Sequence, residues 1–174
     1  TGEISPLQLK DLGVKGTLVG HSERRQYFGD SIESCLKRTL CALECGLDVI
    51  FCIGESLDER KAQKTNAVLE AQLKDIISQI GSYASKLLIA YEPVWAIGTG
   101  LTATIKEIEE AHAFIATLCE KGGLKCPILY GGSVKPDNFA SILNTPAVSG
   151  GLVGGASLQS SSFVALHKNL KECK

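Results

Sequence analysis

Residues able to move protons recur along the chain, each directly after a short apolar run. His21 and Glu23 follow the first run, Glu55 follows the second, and Glu92 closes the third. A carboxylate at the mouth of an apolar strand can act as a general base, and an imidazole can exchange protons near neutral pH. Taken singly, Glu92 is better explained as an ion-paired residue at the rim and His21 as a hydrogen-bonded structural residue. Polar or glycine-rich residues follow all five apolar runs, however, and this recurrence indicates an active site.

Two glycine-rich turns follow the last two apolar runs. Gly131, Gly132 and Ser133 form the first turn, and Gly154 and Gly155 lie in the second. Glycine lets backbone N–H groups approach a phosphate closely, and a helix start adds a partial positive charge. The pair of turns predicts a phosphate site. The alternative is two tight turns that serve backbone geometry alone.

The segment after Glu92 has apolar residues but neither a strand period nor a helix period. Proline stiffens one end and glycine frees the other, which is typical of a lid that closes and excludes water. The alternative is a loop packed permanently against the sheet. The predicted lid comprises Pro93, Val94, Trp95, Ala96, Ile97, Gly98 and Thr99.

The elements between these sets predict an α/β fold. Uncharged runs of this length are typical of strands buried on both faces of a parallel sheet, and the segments between them have a helical period. The predicted strands are residues 17–20, 48–53, 87–91, 128–130 and 151–153. The predicted helices are residues 31–45, 58–80, 104–120, 136–143 and 161–170.

This βα repeat predicts one domain over residues 1–174, with all five functional sets at the carboxyl edge of the sheet. In the first helix, Ile32, Leu36, Leu40 and Leu43 form an apolar stripe that we expect to face the sheet.

Composition excludes several classes of protein. Of 174 residues, 44% are hydrophobic and 21% are charged, and the formal net charge is -1. These values argue against a disordered or fibrous chain, and against nucleic acid or an anionic membrane as the main partner. The chain contains no methionine and begins at Thr1. We therefore expect it to be a fragment.

Seven cysteines without a CxxC pair fit small core residues in a reducing compartment better than a disulfide framework or a metal site.

Five motifs, in their order and spacing, resemble those of the triosephosphate isomerase family over residues 1 to about 170. They are GHSERR at 20–25, CIGE at 52–55, YEPVWAIGTG at 91–100, YGGSV at 130–134 and LVGGASL at 152–158. The resemblance implies a partial (β/α)8 barrel made of the last five βα units, with parallel strands. It also implies interconversion of dihydroxyacetone phosphate and glyceraldehyde 3-phosphate without a cofactor or metal.

The resemblance assigns a role to each site residue, following the base and electrophile long established for this family. Glu92 would be the base, His21 would polarise the carbonyl as neutral imidazole, and Glu23 would be a supporting carboxylate. Cys52 would pack beside the base. Substrate and phosphate contacts would come from Gly98, Ser133, Leu152, Gly154 and Gly155.

The family also implies partners and a location. Its members are typically homodimers in the cytoplasm, and a plastid location stays open. Thr1, Gly2 and Glu3 resemble the tip of the loop that inserts into the neighbouring subunit, and Glu3 and Arg24 resemble a pair that anchors it. We therefore expect a triose phosphate substrate and a homodimer for the complete enzyme, with neither nucleic acid nor membrane as a partner.

The chain also departs from the family. A complete barrel has eight strands in about 250 residues, so we expect the first three βα units to be missing. The asparagine and lysine that follow the family's first strand would be missing with them, and the sequence gives Lys135 no basis for replacing that lysine. Because five strands leave sheet edges and an apolar face uncovered, the chain alone is predicted to be poorly stable and weakly active or inactive.

Two other functions compete with this interpretation. One is a different phosphate-binding barrel enzyme, such as a sugar-phosphate epimerase or an aldolase, although no predicted strand ends in the lysine that a Schiff-base aldolase needs. The other is a noncatalytic truncated barrel that acts as a binding or scaffold module.

Overall fold

The computed structural model describes residues 3–172. Thr1 and Gly2, which the sequence places in a dimer loop, lie outside this range. Among the described helices, none is both long and apolar enough to cross a membrane.

Five parallel strands form one sheet in chain order, which confirms the predicted α/β class and the parallel strands of a partial barrel. The strands are β1 (Gly16–Val19), β2 (Asp48–Ile53), β3 (Leu87–Tyr91), β4 (Ile128–Tyr130) and β5 (Gly150–Gly151). The three central strands match the predicted ranges, whereas β5 has only two residues and ends before the predicted Val153. Within the described residues the sheet is open, since β1 and β5 each pair with one neighbour.

Helices flank the sheet, and two of them were not predicted from the sequence, namely α1 and α2. The α-helices of the described range are α1 (Pro6–Asp11), α2 (Ser22–Tyr27), α3 (Ile32–Glu44), α4 (Leu57–Lys61), α5 (Thr65–Gln79), α6 (Ile105–Lys121), α7 (Phe139–Leu143) and α8 (Ser160–Glu172). Short 3₁₀ turns lie at Gly81–Lys86, Val94–Ala96 and Gly155–Leu158.

The single helix predicted over 58–80 is wrong, because the chain breaks it into α4 and α5. Gln63 has a φ of 58°, in the left-handed region, which a continuing right-handed helix does not allow. Ser56 caps the new start at α4 through a reciprocal pair of hydrogen bonds with Glu59. Residues 58–66 contain one apolar residue, Ala62, so the apolar period that predicts a helix belongs to the part after the break.

The core lies between the sheet and its helices. The central strand β3 is almost wholly buried, and its neighbours β2 and β4 are largely so. On α3, the buried face consists of Cys35, Thr39, Ala42 and Leu43. Of the predicted stripe, Leu43 is buried and Leu36 packs partly buried against the core, whereas Ile32 is 38% exposed. Small side chains face the sheet here and let the helix approach it closely.

Candidate active site

The register of the strands aligns their carboxyl ends, so the predicted functional residues that follow the strands lie at the same edge of the sheet. Ile53 pairs with Tyr91, Tyr91 pairs with Tyr130, and Tyr130 pairs with Gly151. The residue after each of these positions therefore lies at the carboxyl edge of the sheet, where ligands bind in α/β barrels. This edge carries Gly54, Glu92, Gly131 and Leu152.

Glu92 is a buried carboxylate with a histidine partner. It is 2% exposed, and its Oε1 lies 3.2 Å from Nε2 of His21. Its Oε2 accepts a hydrogen bond of 3.1 Å from the backbone N–H of Ser22. Burial raises the pKa of Glu92, against the opposing effects of His21 and the Ser22 N–H. A carboxylate with a raised pKa is a stronger base than an exposed one, which suits it to accept a proton.

The surroundings of His21 determine where its proton lies. His21 caps the N-terminus of α2, where its Nδ1 accepts a hydrogen bond of 3.3 Å from the backbone N–H of Glu23. Because Nδ1 accepts, the single proton of a neutral imidazole lies on Nε2. Nε2 faces Glu92 and the open end of the sheet, so it can donate a hydrogen bond to a bound oxygen.

Two glycines let the backbone approach Glu92. A side chain at Gly54 would overlap the carbonyl oxygen of Glu92, and a Cβ at Gly131 would lie 2.9 Å from its Cγ. Cys52 is fully buried beside Glu92, and burial raises the pKa of its thiol. Cys52 therefore packs against the carboxylate as a neutral thiol.

A second buried carboxylate, Glu55, lies at the same edge and is fixed by several donors. Tyr91 donates its hydroxyl to both carboxylate oxygens at 3.1 Å, and the indole N–H of Trp95 donates at 2.9 Å. Arg60 completes the set at 3.2 Å and also pairs with Glu107 at 2.9 Å. This network ties β2, β3, α4 and α6 to the first turn of the predicted lid.

The first half of the predicted lid is buried, and its second half is exposed. Trp95 and Ala96 are buried, and the guanidinium of Arg60 lies 5.0 Å from the centre of the Trp95 ring. Gly98 and Thr99 are exposed, and Gly98 has a φ of 67°. The hydroxyl of Thr99 donates to the carbonyl of Trp95 at 2.6 Å, which joins the exposed half to the anchored half, and closure of this segment stays a prediction.

One cavity of about 510 Å³ collects the predicted site. The predicted residues that line it are His21, Glu92, Ile97, Gly98, Ser133, Leu152, Gly154 and Gly155. Sequence reasoning missed other lining residues, namely Leu18, Val134, Lys135, Val153 and Ala156, and gave no role to Gly131 and Gly132 beyond the phosphate turn. Residue type gave no signal for the apolar ones, because only the assembled edge shows that they face the cavity.

Comparison with known proteins decides the family. A family model described as triosephosphate isomerase matches residues 1–170. The chain belongs to the triosephosphate isomerase family. The triosephosphate isomerase of Xanthomonas campestris pv. campestris (strain 8004) is 46% identical over 178 residues, which cover 99% of this chain and 71% of that protein. The triosephosphate isomerase of Geobacter metallireducens (strain ATCC 53774 / DSM 7210 / GS-15) is 48% identical over 174 residues, which cover 95% of this chain and 68% of that protein.

The remaining residues assigned from the triosephosphate isomerase motifs lie outside the cavity. Glu23 is exposed, and its backbone N–H donates to Nδ1 of His21 at 3.3 Å. Glu3 lies 3.2 Å from Arg24 and 2.8 Å from Arg38. The hydrogen bond from Arg38 lowers the pKa of Glu3, so this carboxylate is a stable acceptor for both guanidinium groups.

Arg25 is a positioning residue that sequence reasoning missed. It donates to the carbonyl of Gly20 at 2.8 Å and to that of Cys52 at 3.0 Å. These bonds join the ends of β1 and β2 and thereby fix the turn that carries His21. In the described part of the chain, residues 3–172, no group of at least three His, Cys, Asp or Glu residues could hold a metal ion.

Proposed function

We propose that this chain carries the proton-transfer site of a triosephosphate isomerase, which interconverts dihydroxyacetone phosphate and glyceraldehyde 3-phosphate through an enediol(ate). The main support is one observation: buried Glu92 lies 3.2 Å from Nε2 of His21, whose Nδ1 already accepts a backbone N–H. Base and electrophile thus share one cavity, and the fixed tautomer leaves the proton on the nitrogen that faces it. These are the roles established for the family.

The reaction follows from these two groups. The Glu92 carboxylate takes a proton from one substrate carbon, and the adjacent carbonyl becomes the enediolate oxygen. Nε2–H of His21 donates to that oxygen and shuttles a proton between the two oxygens. Glu92 then returns its proton to the neighbouring carbon, so no group is consumed. The substrate must replace the present contact between His21 and Glu92, which therefore represents a resting arrangement.

The phosphate group would bind at the glycine turns. Gly154, Gly155 and Ser133 line the cavity on the side away from β2, and Gly98 at the lid tip faces the same space. Backbone N–H groups donate to phosphate oxygens without a side chain in the way. The lid would close over this end and exclude water from the enediolate. Glu23 would support His21 as a carboxylate outside the described cavity.

The 174-residue chain on its own is proposed to be weakly active or inactive. Within residues 3–172 the sheet is open at both β1 and β5, and Leu18 on β1 is 45% exposed beside the cavity. Lys135 is the only lysine or arginine among the described cavity-lining residues. Substrate oxygens would therefore lack much of the electrostatic stabilisation that such a reaction needs.

A dimer role is proposed for the region around Glu3. This carboxylate joins α2 to α3 by binding Arg24 and Arg38, and it lies next to the residues that resemble the inserting loop. Glu3→Ala should weaken self-association of an active form. Sedimentation analysis at several concentrations would measure this, and an unchanged association constant would contradict the proposal.

The test compares the chain alone with a fusion. The segment of the Xanthomonas campestris relative that lies outside the match would be joined to this chain, and isomerisation would be measured by a coupled assay. We expect little or no activity from the chain and clear activity from the fusion, which Glu92→Gln abolishes. A folded fusion that binds a triose phosphate analogue without turnover would instead favour the noncatalytic binding module.

A further inference from the structure

Two cysteines lie close together at the end of the sheet opposite the active site. Cys119 is in the last turn of α6, and Cys126 lies two residues before β4. The chain reverses between them, since the N–H of Leu124 donates to the carbonyl of Cys119 at 2.8 Å and Gly123 has a φ of 70°. This turn brings Cys126 back towards the helix end.

Both side chains face the same space. Cys119 and Cys126 line a cavity of about 410 Å³, together with Leu124 and Ile128. Cys119 is only 4% exposed, whereas Cys126 is half-buried. The two thiols are close enough to affect each other's proton, because the interaction between them lowers the pKa of Cys119 and raises that of Cys126. Two thiols that line one cavity on either side of a tight turn have the proximity that intramolecular disulfide exchange requires.

We propose that Cys119 and Cys126 form a reversible intramolecular disulfide by exchange with a small-molecule disulfide. The thiolate of one cysteine attacks a sulfur of the reagent, which breaks the S–S bond and releases one small thiol. The thiolate of the other cysteine then attacks the protein sulfur of the mixed disulfide and releases the second small thiol. The protein loses two electrons and two protons, and the reagent gains them.

A second pair of cysteines provides an internal control. Cys41 lies in α3, and Cys45 is its C-cap residue, whose N–H still donates to the carbonyl of Cys41 at 3.1 Å, as in a helix. Residues at this spacing in a helix have Cβ atoms about 5–6 Å apart, whereas a disulfide needs about 3.5–4.5 Å. The helix therefore opposes a bond between them. Cys126 lies beyond the helix end, so the backbone imposes no such separation.

The bond would act on stability and leave the chemistry unchanged. It would join the end of α6 to the start of β4, while Glu92 and the glycine turns lie at the other end of the strands. Because it closes a short loop, it should raise the midpoint of thermal unfolding by on the order of 5 °C. Reduction by dithiothreitol should reverse the change.

Peptide mapping distinguishes the pair from every other thiol. The folded chain is treated with 2-hydroxyethyl disulfide, alkylated and digested with trypsin. Cys119 then lies in the peptide 107–121, and Cys126 in the peptide 126–168, because Lys135 precedes Pro136 and resists cleavage. We expect these two peptides to be linked, and Cys41 and Cys45 to carry separate mixed disulfides. The same treatment in concentrated urea is the control, because it shows which peptides become linked when the chain is unfolded.

Two variants and a control complete the test. In Cys126→Ser and in Cys119→Ala, the linked peptide and the rise in midpoint should both disappear, while Cys41→Ser should keep both. The proposal is wrong if the folded protein carries a stable mixed disulfide on Cys126 with Cys119 reduced. It is equally wrong if folded and urea-treated samples give the same mixture of linked peptides.

Discussion

Glu55 and Glu92 are both buried carboxylates at the carboxyl edge of the sheet, yet their surroundings differ. Glu55 is bound by Tyr91, Trp95 and the guanidinium of Arg60, all within 3.2 Å. Glu92 contacts the imidazole of His21 and accepts a hydrogen bond from one backbone N–H. The pKa of Glu92 is raised by burial, because these partners do not fully replace water.

The difference shows how one edge supports both structure and chemistry. Glu55 is held by fixed donors from three elements, so it anchors the lid and the strand ends. Glu92 has fewer partners, and one of them is the group with which it would share a substrate. The first carboxylate stabilises the fold, and the second is available to accept a proton at some cost in stability.

The largest expected effect separates the two carboxylates by activity. In the active fusion, Glu92→Gln should lower kcat by about a thousandfold, because it removes the general base. Glu55→Gln should lower kcat far less, since Glu55 lies outside the cavity lining. Coupled assays on both variants check this. Similar losses in the two variants would show that the division of roles is wrong.

Stability should show the opposite order. Glu55→Gln leaves the buried side of Arg60 without its carboxylate and disturbs three donors, so it should lower the free energy of unfolding by about 2 kcal/mol. Glu92→Gln should not lower it at pH 7. Urea unfolding of the two variants beside the wild type measures the difference. An equal or larger loss for Glu92→Gln would contradict the comparison.

The pH dependence of stability sharpens this result. The folded-state pKa of Glu92 is raised above its ordinary value of 4.5, so its contribution to stability is fully present below that value. The contribution is lost as pH rises through the raised folded-state pKa. Glu92→Gln does not titrate, so it should gain stability relative to the wild type as pH rises from 4.5 towards neutrality. Unfolding free energies measured across this range would contradict the account if the difference stayed constant.

The smallest expected effects come from two tyrosines that precede the site. The hydroxyl of Tyr91 bonds to Glu55, whereas that of Tyr130 is buried without a hydrogen-bond partner. Burial raises the pKa of Tyr130 to about 12, so both hydroxyls stay protonated. Tyr91→Phe should cost about 1 kcal/mol, and Tyr130→Phe should cost less than about 0.5 kcal/mol. Matched urea titrations check the pair, and a larger cost at Tyr130 would reverse the expectation.

Much of this arrangement could be predicted from the sequence. Apolar runs and the residues after them located the central strands and the edge that carries His21 and Glu92. The motifs then indicated the family. The sequence did not predict the contacts between side chains of distant elements. Tyr91 and Trp95 reach Glu55 from β3 and from the turn after it, and Arg25 spans two strand ends through backbone carbonyls. Neither contact leaves a pattern in the chain.

Some predicted helix bounds and buried faces were wrong for a related reason. The apolar period that predicts the helix begins after Gln63, where the backbone is left-handed and separates α4 from α5. On α3 the buried positions include Cys35 and Thr39, whereas Ile32 is exposed. Packing against the sheet decides which α3 positions are buried, and hydrophobicity alone does not encode it. The predicted single domain, the homodimer and the cytoplasmic location stay predictions.

Exchange of substrate hydrogen with solvent tests the central claim most directly. Dihydroxyacetone phosphate would be incubated in D₂O with the active fusion and with its Glu92→Gln variant, and deuterium on carbon would be followed by NMR. The account predicts incorporation with the wild-type sequence and loss of incorporation with Glu92→Gln, since that carboxylate carries the proton. Incorporation at an undiminished rate in Glu92→Gln would show that another group is the base.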